Sequence, residues 1–301
     1  MTATTSVERT SEPPRLRVGR RLRVLFASRE ILVNLVRKEL KVKYTASVLG
    51  AVWSLLNPLV YLGVFTFVAK VLGAGLPDFP VYLLSGLLAW NLLSASLQGA
   101  TQSLVDNANL VKKVAFPHEI LSLAAVGVAL VDFVLQSAVL FVFVAPFHGF
   151  RLPELALWPL AFLALLVLVV ALAFWLAALN VRYRDVGHLL SIGLVVWFWA
   201  TPIVYASYQA KLLAQGGTGT WFGVPRFALY LLNPMTDIVE GFHRAIYAVV
   251  TPAGRDAPVL FDVSLGWLIG VLLATLAGSL VALRLAWGYF FHRSADFAEE
   301  L

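Results

Sequence analysis

The sequence contains no cysteine and little charge. Without cysteine the chain has no disulfide framework, no thiolate metal site and no cysteine nucleophile. Charged residues make up 13% of its 301 residues, well below the roughly 25% of an average soluble domain. What remains is 60% hydrophobic, with a mean hydropathy of +0.82. This composition excludes an ordinary soluble domain and indicates an integral membrane protein.

Several catalytic motifs are also missing. The phosphate-binding pattern G-x-x-x-x-G-K-[ST] does not occur, and no D-x-D cluster is present that would hold a metal-bound sugar nucleotide. The one Glu-x-x-His unit, Glu240 to His243, lacks the second unit of a dimetal site. We therefore expect no catalytic residue and no metal site. Glu240 is instead predicted to pair with Arg244 on a helix surface.

Six apolar segments are each long enough to cross a bilayer, which takes about 20 residues. These predicted spans cover residues 52–73, 80–103, 119–147, 155–180, 189–208 and 264–289. Between the last two spans, the segment 209–262 mixes turn residues with an apolar stretch that Asn233-Pro234 interrupts. Short re-entrant or interfacial helices are predicted there. The fold class is therefore an all-α polytopic membrane protein with six transmembrane helices.

Basic residues predict the orientation. The segment before the first span holds eleven of the 23 lysines and arginines, which places the N-terminus in the cytoplasm, and six crossings then place the C-terminus there too. The predicted inner loops carry Lys112, Lys113, Arg182 and Arg184. The polar, arginine-rich start predicts no removable signal peptide. We expect a multi-pass protein of the cytoplasmic (inner) membrane, and the net charge of +6 is attributed to this asymmetry rather than to nucleic-acid binding.

The N-terminal region divides into two parts. Residues 1–27 are polar and basic and are predicted to form a disordered cytoplasmic tail. In residues 28–45 apolar side chains recur at helical spacing, which predicts an amphipathic helix in the membrane interface; an ordinary soluble helix is the alternative. Its basic face carries Arg37, Lys38, Lys41 and Lys43. Residues 46–301 are predicted to form the six-span domain.

The loop "NANLVKKVAFP", residues 107–117, is an unusual interruption between two apolar spans. Asn107 is predicted to cap a short helix that Pro117 must end. Leu110, Val111 and Val114 share one face of this helix, with the two lysines beside it. Two interpretations remain open. The helix either docks on a cytoplasmic partner and passes motion to the spans, or its lysines only satisfy the positive-inside rule.

Polar and aromatic residues within the spans are candidates for a translocation pathway. Polar residues on one face of the second span either line such a path or form interhelical hydrogen bonds; they are Asn91, Ser94, Gln98, Thr101 and Gln102. Aromatic residues of the fifth span either stack on sugar rings or lie at the membrane interface; they include Trp197, Trp199 and Tyr205. Asp132 of the third span has no partner visible in the sequence, and it is neutral, paired or exposed to a water-filled cavity.

Four segments carry a resemblance to a known family. They are "RKELKVKYTASVLGAVWSLLNPL" (37–59), "NANLVKKVAFPHEIL" (107–121), "NVRYRDVGHLL" followed by "WFWATPIVY" (180–190 and 197–205), and "LNPMTDIVEGFHRAIY" (232–247). In this order they resemble the membrane subunits of bacterial ABC exporters for lipid-linked polysaccharides. Such type-2 ABC permeases export O-antigen, teichoic acid or other cell-wall glycans.

The resemblance implies an assembly and a mechanism. It implies a homodimer bound to two copies of a separate ATPase, which would bind ATP and Mg, so no cofactor is expected in this chain. It implies that a lipid-linked polysaccharide is moved across the bilayer. It also implies that residues 28–45 form the family's interface helix. The closing residues Arg293, Asp296 and Phe297 fit the family's usual ending only loosely, and we assign them no role.

The resemblance also implies site residues. The coupling helix that contacts the ATPase would be residues 107–117, with Asn107, Asn109, Leu110, Lys112, Lys113, Phe116 and Pro117. The outer gate would lie in residues 209–262, with Asn233, Pro234 and Glu240. The alternative is a stand-alone channel or an ion-coupled secondary transporter without an ATPase, for which Asp132 is the single candidate for an ion or proton site.

Overall fold

The computed structural model describes residues 18–45, 52–71, 76–114, 116–148, 152–209, 220–221, 224–248, 256 and 258–301. Several predicted segments lie partly outside the described residues. These are residues 1–17 of the predicted tail, residues 46–51 before the first predicted span, residues 72–75 at and beyond its end, and parts of the segment 209–262. Within the described residues the regular structure is helical, apart from one antiparallel pair of two-residue strands, β1 (Thr220–Trp221) and β2 (Val224–Pro225). The predicted helical fold class is confirmed at this level.

The helices are numbered in chain order. They are α1 (Val18–Ala27), α2 (Arg29–Thr45), α3 (Val52–Val71), α4 (Phe79–Asp106), α5 (Ala108–Lys113), α6 (Glu119–His148), α7 (Leu152–Leu155), α8 (Leu157–Arg182), α9 (Val186–Trp199), α10 (Arg226–Leu231), α11 (Pro234–Ile246), α12 (Leu265–Arg293) and α13 (Phe297–Glu300).

Four of the described helices, α4, α6, α8 and α12, contain segments long and apolar enough to cross a membrane. The shortest, α8, has 26 residues, which at 1.5 Å per residue gives about 39 Å against a hydrocarbon core of about 30 Å. The predicted first and fifth spans contain shorter apolar helices, Pro58–Val68 within α3 and Val186–Trp199 as α9. The structure therefore has four long apolar helices and two shorter ones in the order of the six predicted spans.

The fifth helix ends earlier than the predicted span 189–208. It stops at Trp199, and the chain then turns through Thr201 to Tyr205. Pro202 explains this end, because proline has no N–H to donate and disfavours helical geometry in the residue before it. The hydroxyl of Tyr82 donates to the carbonyls of Pro202 and Tyr205, at 3.1 and 2.6 Å. This side chain satisfies backbone groups that a continuing helix would have paired.

Helix α4 is the centre of the bundle. It packs against α6, α8 and α11, while α8 also packs along α12. Its large apolar side chains Tyr82, Leu87 and Leu93 are fully buried. A second, smaller core lies where α5, α8, α12 and α13 meet, and it contains Val111, Phe290 and Phe297. This smaller core supports the segment predicted to couple the spans to a partner.

The N-terminal helices pack on the third span. Helix α2 packs against α6, and Gly127 permits the close approach, because a Cβ there would lie 2.8 Å from Cγ2 of Val36. Helix α1 occupies residues that were predicted to be a disordered tail. That prediction differs from the structure because Arg21 of α1 has a buried partner 98 residues away, which local composition does not reveal.

Helices α10 and α11 lie in the segment between the last two predicted spans. Asn233 caps α11, accepting a hydrogen bond from the Met235 backbone N–H at 3.1 Å, and Pro234 occupies the first turn. Nearly every residue of α11 is buried against α4, α8 and α12. The helix is therefore inserted into the bundle rather than laid on its surface.

Candidate functional site

The predicted coupling segment forms a short helix with exposed lysines. Helix α5 has six residues and follows α4 after a single turn residue, Asn107. Asn109, Lys112 and Lys113 are exposed, whereas Val111 is 5% exposed. Only Leu110 and Val111 turn inwards, because Val114 lies beyond the helix in extended geometry and is 47% exposed. The apolar face is thus narrower than predicted.

Asn107 does not cap this helix with its side chain. Its Nδ2 donates to the carbonyl of Ser103 at 2.9 Å, in the last turn of the preceding helix. Asn107 thus occupies the predicted N-cap position, but the capping hydrogen bond expected of its side chain is absent. The side chain of an asparagine between two helices can hydrogen-bond to the backbone of either helix, and here it extends the hydrogen bonding of the longer one. Helix α5 ends at Lys113, three residues before Phe116, whose geometry Pro117 restricts.

Aromatic side chains support the coupling segment, and we call Phe116, His118 and Phe297 the aromatic seat. The ring of Phe116 lies edge-on to His118, with centroids 5.5 Å apart, and His118 lies 6.1 Å from Phe297. Phe297 is 1% exposed and also contacts Phe290 of α12, with centroids 5.2 Å apart. Because α13 packs against α5, the C-terminal residues, to which the sequence analysis assigned no role, contribute to this site.

The environment of His118 keeps its ring neutral. Burial lowers the pKa of His118 below its ordinary 6.5; the nearby Glu119 raises it and Arg21 lowers it further. A charged imidazolium would lose hydration in the seat, and this cost exceeds what Glu119 and a hydrogen bond to the backbone of Ser294 return. His118 therefore acts as an aromatic packing residue at neutral pH.

The base of the third span carries an ion pair that sequence reasoning missed. Arg21 donates from Nε and Nη2 to the two carboxylate oxygens of Glu119, at 2.7 and 2.6 Å. The indole Nε1 of Trp287 donates to Oε1 of the same carboxylate at 3.1 Å. The Glu119 side chain is 0% exposed. No local signal in the sequence predicts this contact, because its three members lie in three distant segments.

The second predicted inner loop lies close to the end of α4. Arg182 and Arg184 are exposed between α8 and α9. Asn180 donates from Nδ2 to the carbonyl of Thr101 at 2.9 Å. A Cβ on Gly187 would lie 2.6 Å from Nε2 of Gln102, so glycine permits this contact. The two predicted inner loops are thus joined through α4.

The basic residues predicted on the interface helix are exposed, and one of them has a partner in the third span. Arg37, Lys38 and Lys41 are exposed on α2. Lys43 forms an ion pair with Asp132, with Nζ 2.6 Å from Oδ2. The hydroxyl of Tyr44 donates to Oδ1 of Asp132 at 2.6 Å.

Asp132 therefore has partners that were not visible in the sequence. Both of its oxygens are bonded to the interface helix, and it also lines a cavity of about 530 Å³ between α2, α4 and α6. Lys38, Glu39, Ser103 and Asp106 line the same cavity. Of the interpretations left open by the sequence, pairing and cavity exposure both apply.

The polar stripe of the second span divides into two groups. Thr101 is buried and donates to the carbonyl of Leu97 at 2.6 Å, so it does not line a path. Asn91 is half-buried and donates from Nδ2 to Oε1 of Gln136 at 3.0 Å. Ser94 is half-buried, and Gln98 is exposed. The stripe therefore includes both interhelical hydrogen bonding and exposed polar groups.

The predicted outer gate and the fifth-span aromatics meet at Asn233. Its Oδ1 accepts from the indole Nε1 of Trp197 at 2.7 Å, and its Nδ2 donates to the Thr201 hydroxyl at 3.2 Å. Trp197, Asn233 and Pro234 line an open groove of about 790 Å³. Trp199 is 56% exposed, and its carbonyl accepts from the Tyr205 hydroxyl at 3.1 Å.

Glu240 is buried and is not part of a surface pair. Its Oε1 accepts from the backbone N–H of Phe261 at 2.9 Å. Arg244 instead donates to the carbonyls of Phe261 and Val263, at 3.4 and 3.3 Å. The predicted Glu240–Arg244 surface pair is wrong because both side chains bind the loop that leads into α12. Among the described residues, no group of three or more histidines and carboxylates is arranged to hold a metal ion.

Comparison with known proteins gives consistent matches. The model of the ABC-2 type transporter family matches residues 31–215. The chain is 31% identical over 286 residues to the O-antigen export system permease protein RfbA of Myxococcus xanthus, which covers 94% of this chain and 99% of that protein. Two O-antigen export system permease proteins RfbA of Klebsiella pneumoniae are each 31% identical over 182 residues, covering 59% of this chain and 70% of each relative.

Proposed function

Because the chain belongs to the ABC-2 type transporter family, we propose that it exports a lipid-linked polysaccharide of the O-antigen class. It is a membrane subunit of that family, whose ATPase activity resides on a partner chain. The cargo class is inferred from the Myxococcus xanthus relative, an O-antigen export permease that aligns with 94% of this chain. In this function the protein moves the lipid-linked glycan, and ATP hydrolysis by the partner drives the movement.

The exposed basic helix α5 is the observation that carries the proposed mechanism. It joins two long spans, its lysines are exposed, and its inner side rests on the aromatic seat of Phe116, His118 and Phe297. A loop that only reversed the chain would not need such support. We assign contact with the ATPase to Asn109, Lys112 and Lys113, and support of the helix to Leu110 and Phe116.

The proposed assembly is a homodimer of six-span subunits with two ATPase chains. Both termini lie in the cytoplasm in this arrangement. Two contacts within the chain support this placement of the termini: α1 bonds to the base of α6 through Arg21, and α13 packs against α5. Helix α2 then lies at the cytoplasmic boundary of the bilayer, with Arg37, Lys38 and Lys41 facing water and lipid headgroups.

The proposed pathway runs past the exposed polar groups of α4 towards the groove at Trp197. Gln98 and the half-buried Ser94 supply hydrogen-bonding groups, and Trp199 and Tyr205 supply aromatic surface. Asn233 and Pro234 form the outer gate, because they join α11 to the end of α9. A stand-alone ion-coupled transporter receives no support from Asp132, since both oxygens of that carboxylate are already bonded.

Affinity purification of the protein from its host membranes tests the proposal. We expect a P-loop ATPase to copurify in equal amount with the wild type. In the variant Lys112→Glu/Lys113→Glu the retained ATPase should fall about tenfold or more, because tenfold corresponds to about 1.4 kcal/mol and two reversed charges at a docking surface oppose association by at least that amount.

A matched control reverses two exposed charges elsewhere on the same end of the bundle. Arg20 and Arg23 are exposed on α1, so Arg20→Glu/Arg23→Glu should retain the ATPase as the wild type does. Equal loss in both variants would refute a specific role for α5. If no ATPase copurifies with the wild-type protein, the proposed assembly is refuted.

A further inference from the structure

The N-terminal helices are attached to the third span at two separate points. At the base of α6, Arg21 of α1 bonds to Glu119. Further along α6, Lys43 and Tyr44 of α2 bond to Asp132. Asp132 is 13 residues beyond Glu119, so the two attachments lie about 20 Å apart along the helix axis.

The lower attachment is firm and buried. The guanidinium of Arg21 bonds to both oxygens of a fully buried carboxylate and lies over the ring of Phe291, 4.9 Å from its centroid. Bidentate arginine–carboxylate pairs combine charge with fixed orientation. Trp287 holds the same carboxylate from α12. Helices α1, α6 and α12 are therefore joined at one point.

The upper attachment is more accessible. The Lys43 side chain is 40% exposed and that of Asp132 is 13% exposed. Two groups from successive residues of α2 take the two oxygens of one carboxylate, so the end of α2 is fixed to α6 in both position and rotation. The cavity of about 530 Å³ lies below this point, between α2, α4 and α6.

The lower attachment adjoins the coupling segment. Glu119 is two residues beyond Pro117, in the first turn of α6. Val111 of α5 belongs to the same small core as Trp287 and Phe297. A displacement of α5 by the ATPase therefore reaches Glu119 first among the charged groups of α6, and Arg21 carries it to α1.

We propose that α1 and α2 form a strut whose two attachments, Arg21–Glu119 and Lys43/Tyr44–Asp132, make the N-terminal helices and the first half of α6 move as one rigid unit when the coupling segment is displaced. Arg21 and Asp132 are positioning residues for transport. This inference rests on the proposed function. Since a strut works only when both ends are held, loss of either attachment has the same consequence as loss of both.

Single and combined variants in the full ATPase complex test the strut. The lower attachment is cut by Arg21→Met/Glu119→Gln, which leaves no unpaired charge and keeps an acceptor for Trp287. The upper attachment is cut by Asp132→Ala, which leaves Lys43 exposed to water. Glycan on intact cells is measured by periodate labelling, and ATP hydrolysis is measured on the purified complex in vesicles of phosphatidylethanolamine and phosphatidylglycerol.

We expect each cut to lower surface glycan at least about fivefold, the lower end of coupling between distant sites. ATP hydrolysis and ATPase copurification should stay within about twofold of the wild type. The combined variant should export at least as much glycan as whichever single-attachment variant exports less. Effects of independent sites this far apart multiply, so multiplied losses would overturn the strut. Wild-type export in either single cut would also overturn it.

Two controls and the wild type separate the possible failures. Arg20→Met and Lys41→Met remove exposed charges from the same two helices and should export normally. Equal loss in these controls would mean that the charge of the N-terminal helices matters rather than the attachments. If a cut variant loses its ATPase, the attachment supports assembly and the strut is refuted. Failure of the proposed function would instead appear in the wild type, as absence of an ATPase or of exported glycan.

Discussion

Asn233 joins two elements through both ends of its side-chain amide. Its Oδ1 accepts from the Met235 N–H and from the Trp197 indole, and its Nδ2 donates to Thr201. One residue therefore caps α11 and holds the end of α9. At the residue scale this is the point where the outer gate is most sensitive to substitution.

Replacing Asn233 by Ala should destabilise the protein. The lost cap costs about 1 kcal/mol, and each further lost hydrogen bond costs about 1 kcal/mol, more where a buried group is left unpaired. We expect a loss of about 2–3 kcal/mol, measured by thermal unfolding in detergent. Asn233→Asp keeps the acceptor for Met235 and Trp197 and should lose less. Asn109→Ala, at an exposed position, should leave the unfolding temperature unchanged, and equal stability of all three variants would contradict this role of Asn233.

Single residues were the least predictable part of the site. The sequence analysis noted Asn233-Pro234 as an interruption of an apolar stretch and named Asn233 as a gate residue only through the family resemblance, without predicting that it caps α11. It assigned a cap to Asn107 from a local signal, yet that side chain bonds backwards to Ser103. Arg21 and Glu119 were missed altogether, because a pair 98 residues apart in sequence depends on tertiary packing, which neither periodicity nor composition reports.

At the scale of elements, the seat beneath α5 links the coupling segment to the C-terminus. Helix α13 has only four residues, too few to be stable alone, and its Phe297 is held between His118 and Phe290. The support of α5 therefore depends on packing that His118 completes. Charging this histidine would remove the imidazolium from water, a cost that outweighs the favourable effect of the nearby Glu119 on its pKa.

Acid should weaken the seat. Because burial lowers the pKa of His118 below its ordinary 6.5, the unfolded chain binds the proton more readily than the folded one. Stability from this group is therefore complete above the ordinary pKa and falls as the pH drops below it. We expect the unfolding temperature to fall between about pH 7.5 and 5.5, and to fall less in His118→Phe. The control His292→Gln, at an exposed position, should behave as the wild type, and identical pH profiles for His118→Phe and wild type would exclude this contribution.

The long apolar helices were predictable, as were the interface helix α2 and the short helix α5, whereas the end of α9 and helix α1 were not. Helices α4, α6, α8 and α12 coincide with long apolar runs, because a span in lipid must satisfy its own backbone and expose apolar side chains. The end of α9 was misplaced, since the apolar run continues through Pro202 while the helix does not. Helix α1 lacks an apolar run of span length and was predicted as disordered, although one ion pair and packing hold it in place.

At the scale of the whole molecule, the family and the path of the chain agree. The resemblance drawn from four motifs is confirmed, since the ABC-2 type transporter family model matches residues 31–215. The matched region contains most of α2, all of α5 and the two predicted inner loops. The described contacts also bring α1, α5 and α13 to one end of the bundle, which supports the proposed arrangement with both ends of the chain in the cytoplasm.

Cysteine labelling tests this topology, because the chain has no native cysteine and each substitution introduces a single reactive thiol. Asn109, Ala298 and Asp256 are exposed on α5, on α13 and in the segment before α12, respectively. In intact cells an impermeant maleimide should label Asp256→Cys and leave Asn109→Cys and Ala298→Cys unlabelled, since the positive-inside rule places the lysines of α5 in the cytoplasm. Opening the cells should expose all three.

Labelling of Ala298→Cys but not Asn109→Cys in intact cells would place the C-terminus opposite α5, which the packing of α13 on α5 forbids. Labelling of both would instead reverse the orientation and move the ATPase-docking surface away from the side that holds ATP.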